Sequence, residues 1–150
     1  MRDLFLIHLL STLMMCGIIW IIQWLHYPLF EYVGEVSFQQ YEILHRNWIS
    51  PIVGPLMLVE LGTAVLLVLQ RSEGLSPHLC WISLGLLVLI WLSTFFIQVP
   101  LHNKITLNYD VEAIKALVNS NWIRTIAWSL RAVLLLYMLR KLLPTSQTAS

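Results

Sequence analysis

Four long apolar runs, separated by polar stretches, organise the chain: residues 4–25, 51–70, 79–99 and 122–143. Each is long enough to cross about 30 Å of hydrocarbon at about 1.5 Å per residue. None alternates with a period of two. A barrel is therefore excluded and helices remain, because lipid offers no partner to unpaired backbone groups. The pattern predicts an all-α fold, a single transmembrane antiparallel four-helix bundle over residues 1–150. Trp20 and Trp24 near the exit of the first run suit an interfacial aromatic belt.

The connections carry their own pattern. Tyr27-Pro28 disfavours continued helix after the first span, because the residue before proline avoids the α region. Ser37 is expected to cap a short amphipathic surface helix running to about Trp48. Phe38, Tyr41, His45 and Trp48 would share its inner face, with Gln39, Glu42 and Arg46 on the outer one. Pro51 suits the first turn of span two, and Pro55 a kink within it. Residues 70–78 read as a tight polar turn, and Pro100 as the end of span three. Asp110 is expected to cap a second surface helix with an apolar stripe at Val111, Ile114, Leu117 and Val118. Arg140 and Lys141 close the last span, and a short polar tail follows Pro144.

Composition agrees with a membrane protein. The chain is 58% hydrophobic and 11% charged, against about 25% charge in soluble domains. Net charge is +1 and no basic tract suggests nucleic acid. Cys16 and Cys80 have no spacing that suggests zinc or redox chemistry and read as buried side chains. The first apolar run is too long for a signal h-region and lacks a small-residue cleavage site, so it is expected to stay. The balance of Lys and Arg at the span ends tips slightly toward cytoplasmic termini in a bacterial inner membrane. The edge opposite the termini would then be periplasmic.

Antiparallel spans bring three histidines to that edge: His26 after span one, His45 before span two and His102 after span three. Asn121 and Arg124 open span four at the same level. Converging imidazoles suit a metal, with iron, copper or haem as the cofactors considered. The bland alternative is that interfacial histidines bond to loops and lipid headgroups. Glu60 and Arg131 lie nine residues beyond Pro51 and Trp122, about 14 Å deep by helix rise. Isolated charges there are costly, so the two are expected to pair or share a polar network. Glu60 is a candidate proton relay, with a structural ion pair as the alternative. His8 and His78 fall on the other side and read as incidental.

Val99-Pro100, Asn103, and Asn121 with Arg124-Thr125 carry a resemblance. They resemble the turn after span three and the start of span four in a family of small four-span membrane proteins that includes the fungal anthrone oxygenases. The resemblance implies a small membrane enzyme or redox protein with its polar site at the histidine edge. With the converging histidines added, the leading expectation is an oxidoreductase of the oxygenase type, acting on a lipophilic substrate from the bilayer. Glu60, Asn121 and Arg124 would be catalytic, with Arg124 orienting an anionic or phenolate oxygen, and His26, His45 and His102 would hold the metal. The competing class is a non-catalytic accessory subunit of a larger membrane complex. Lipid, a lipophilic small molecule, and a homo-oligomer or larger assembly are the expected partners. A transporter is disfavoured, because no inverted repeat is visible.

Overall fold

The structure is a computed structural model, and residues 2–70 and 74–143 are described here. It is helical throughout, with no strand among those residues. Helix α1 spans Arg2–Ile21 and runs into a π-helical turn, Ile22–His26, and then a 3-10 segment, Pro28–Tyr32. Helix α2 spans Glu35–Leu69 and α3 spans Pro77–Ser93. A second π-helical stretch, Thr94–Gln98, leads into α4, Val99–Leu107, and α5 spans Val111–Leu142. Four helical runs are long and apolar enough to cross a membrane: Arg2–Tyr32, Glu35–Leu69, Pro77–Leu107 and Val111–Leu142. The last has a mean hydropathy of 1.3, against 2.2 to 2.3 for the others. That deficit comes from the polar face it turns inward.

The bundle has α1 packed on α2 and α5, and α3 packed on α2 and α5, so α2 and α5 face each other across its centre. The main core gathers Ile19, Phe30, Leu87, Ile90, Ile114 and Trp128. A second, smaller core of Phe5, Leu9, Leu67, Cys80, Leu135 and Met138 closes the end that holds the termini. Large apolar side chains elsewhere face outward, as lipid-exposed helices require.

The two expected surface helices are not separate elements. The one predicted to follow Ser37 is the first part of α2, which begins at Glu35 after Gly34 and continues through Pro51 and Pro55. Each proline removes a helical donor without stopping the helix. Gly34 has φ 81°, the left-handed region that glycine adopts without strain. Pro100 likewise does not end span three. It occupies the first turn of α4, where its missing N–H is least costly. Asp110 does cap as expected, accepting from the Ala113 amide at 3.0 Å, but what it caps is the whole of α5. Residues 71–73 of the expected turn and the tail from Pro144 lie outside the described residues.

Candidate functional site

The two π-helical stretches position the site. A π turn inserts an extra residue and shifts the helix face that follows, and such turns recur at functional sites. The first carries Gln23 and His26 and is followed by Tyr27, and the second ends on Gln98. Gln23, Tyr27 and Gln98 are all buried as a result. They meet α5 at Asn121, Arg124 and Thr125, one helical face also buried.

A continuous hydrogen-bonded chain results. Gln23 donates to the Val118 carbonyl at 3.1 Å, and its oxygen accepts from Asn121 at 2.9 Å and from Thr125 at 3.2 Å. Arg124 donates from Nε to Asn121 Oδ1 at 2.9 Å, and from Nη2 to Gln98 Oε1 and the Tyr27 hydroxyl, each at 3.3 Å. A guanidinium only donates. The Tyr27 hydroxyl therefore accepts from Arg124 and donates to His102 Nε2, 2.9 Å away. This assigns the remaining proton of His102 to Nδ1, which donates to Glu42 Oε1 at 2.6 Å. On the other side of the cluster, His26 Nε2 and His45 Nδ1 lie 2.7 Å apart, and the His45 and His102 rings stack with centroids 5.6 Å apart.

The five edge residues expected to converge thus do so, and Glu42 and Tyr27 join them. Glu42 corrects the sequence reading directly. Expected on the outer face of its helix, it is 0% exposed, three residues before His45 and beside it on the same inner face. Its Oε2 is buried and has no hydrogen-bond partner. Glu42, His45 and His102 each offer one ligand atom within 4.8 Å of the others, an arrangement that could hold a metal ion. His26 lies outside that group, one hydrogen bond from His45. An N, N, O set with an unsatisfied carboxylate oxygen fits a divalent cation such as iron.

Two openings reach this cluster. A cavity of about 560 Å³ between α1 and α2 has walls of Ile18, Leu25, Leu44 and Ile52, with His26 and His45 as its imidazole groups. A second cavity of about 180 Å³ touches His45 and His102 from the other side and reaches past Arg124 to Trp128.

Glu60 lies deeper, and its side chain bonds to none of His26, His45 and His102. It forms a fully buried ion pair with Arg131, as the depth argument expected, and its second oxygen accepts from Trp128 Nε1 at 2.9 Å. His8 is a correction. It is buried, with Nδ1 2.7 Å from the Thr63 hydroxyl and Nε2 3.4 Å from Arg131, and so belongs to the Glu60 network. The reason is helical phase, since His8 shares the inner face of α1 with Ser11, Thr12 and Met15. His78 is exposed at the start of α3.

No family model, no curated protein and no solved structure matches the chain.

Proposed function

We propose that this protein is a small membrane oxidoreductase of the oxygenase type, acting on a lipophilic substrate beside a metal ion held by Glu42, His45 and His102. The observation that carries this reading is the Glu42 carboxylate, wholly buried within ligand distance of two imidazoles and with one oxygen unpartnered. Leaving such an oxygen unmatched costs about 1–3 kcal/mol or more, a cost that a bound cation removes.

The donor set favours iron, as two imidazoles and one carboxylate do elsewhere. Haem fits less well. The His26 and His45 nitrogens are 2.7 Å apart and the His45 and His102 rings are stacked, which leaves no room for a macrocycle between either pair. The ion would supply the redox chemistry. His26 orients the His45 ring and sets its tautomer through their shared proton. Tyr27 holds the His102 ring at Nε2; an ion at His102 would displace the Nδ1 proton to Nε2, where the Tyr27 oxygen would accept it, and Arg124, held by Asn121 and Gln98, fixes Tyr27. The apolar cavity between α1 and α2 admits the substrate from the bilayer and leaves its polar end at the His26–His45 pair. Glu60, bonded to Arg131 and Trp128, supports the bundle from below the site.

We place the chain in a bacterial inner membrane with cytoplasmic termini. Arg124 is buried and drops out of the count of flanking charges, which leaves Arg2, Arg71, Arg140 and Lys141 on the termini side against Arg46, Lys104 and Lys115 on the other.

The test is dioxygen consumption by iron-loaded proteoliposomes supplied with ring-bearing lipophiles. Uptake should depend on the lipophile and fall at least about tenfold in Leu44→Trp, which fills the cavity mouth, with bound iron unchanged. Bound iron without any lipophile-dependent uptake would rule out the oxygenase reading.

A further inference from the structure

Helix α5 carries two buried arginines seven residues apart, and they are treated differently. Arg131 is paired with Glu60. Arg124 is 8% exposed, and every acceptor it reaches is neutral: Asn121, Gln98 and Tyr27. Among the described residues no carboxylate lies within ion-pair distance of it. A charge taken out of water without a counter-charge is costly, and within membrane-spanning segments such residues find partners or line an aqueous path.

Arg124 borders the cavity of about 180 Å³ on the α2 and α4 side of the site. Arg46 borders the same cavity and also lacks a carboxylate partner; its one side-chain hydrogen bond, to Thr106, is 3.4 Å long. Ser50 and Gln98 add uncharged polar groups. An outer hollow of about 360 Å³ shares Arg46 and Ser50 with this cavity, so Arg46 borders both. The apolar cavity lies on the opposite side, between α1 and α2, and shares only Ile22, His45 and Ile49 with it.

We infer that this second cavity is a binding site for an oxyanion, a carboxylate or a phosphate group, held between Arg46 and Arg124. Two guanidiniums facing one small chamber supply forked donors that match the oxygens of such a group. The chamber has room for a small oxyanion and a few waters, at about 30 Å³ per water. Whether an ion sits at Glu42, His45 and His102 does not enter this inference, because neither arginine belongs to that set.

The test is thermal unfolding of the detergent-solubilised protein in benzoate or inorganic phosphate, against chloride at matched ionic strength. The same variants are then compared in phosphatidylcholine vesicles with and without phosphatidylglycerol. A ligand that binds only the folded state raises the midpoint saturably. We expect that rise with the free oxyanions, and an affinity at least about tenfold weaker in Arg46→Gln, which removes one charged donor. A rise with phosphatidylglycerol vesicles alone, weakened by the same substitution, assigns the site to a lipid headgroup. Arg124→Gln should lose the response altogether, its own midpoint without anion serving as the baseline because the substitution also unpartners Gln98 and Tyr27. Three results overturn the inference: no saturable rise from either source, an equal rise in chloride, or Arg46→Gln binding as tightly as the parent.

Discussion

Buried charge decides most at the scale of single residues. Glu60 and Arg131 are each 0% exposed and bonded to each other across the bundle. Breaking such a pair from one side leaves an uncompensated ion and costs about 3–5 kcal/mol, whereas replacing both partners can be nearly neutral. Glu60→Gln and Arg131→Met should each lower stability by about that amount, and the double variant should recover most of it, measured by denaturation in detergent. Single variants within about 1 kcal/mol of the parent would place the pair with weak surface bridges. This pair was legible in the sequence, because depth follows from counting residues along a helix. Glu42 was not. Assigning a face by its aromatic residues drew the boundary between Glu42 and His45, although three residues apart makes them neighbours. Tyr27 was likewise read only as the residue before a proline, and nothing local to it reveals that a π turn directs it inward.

The elements show the same division. The four spans, their antiparallel order and the Asp110 cap follow from apolar run length and one polar residue before a helix. The unbroken course of α2 through Pro51 and Pro55 does not, since proline reads locally as a boundary and only packing along the whole helix overrides it. Asp110 makes the start of α5 sensitive to pH. Its hydrogen bond with Lys104, then its acceptance from the Ala113 amide, hold its carboxyl below the usual range. A depressed carboxyl contributes stability that is present above its ordinary range and lost as pH falls through the folded value. The unfolding midpoint of the parent should therefore decline over the acid limb more steeply than that of Asp110→Asn. Parallel acid limbs would show that the cap does not couple to folding.

At the scale of the whole molecule, the bundle stacks two polar centres along one axis, and sequence foresaw both. An upper centre, where three spans bring histidines to one edge, faces an apolar cavity on one side and a cationic one on the other. A lower centre holds Glu60, Arg131, His8 and Trp128 in the core. What sequence could not supply is the full membership of the upper centre, because Glu42 joins through its phase on α2 beside His45, and Tyr27 and Gln98 enter through the π turns. His26, placed one bond behind His45, should tune the ion without holding it. His26→Ala is expected to weaken metal affinity by about 10–100-fold, whereas His45→Ala abolishes stoichiometric binding. Equal losses in the two variants would put His26 among the ligands.

The measurement that bears most directly on this account is elemental analysis of the detergent-purified protein, with a visible absorption spectrum of the same sample. The account predicts about one iron per chain and no Soret band, with the iron lost in Glu42→Gln while the helical fold is retained. A folded parent protein that carries no metal and takes up neither iron, copper nor zinc when offered would contradict it.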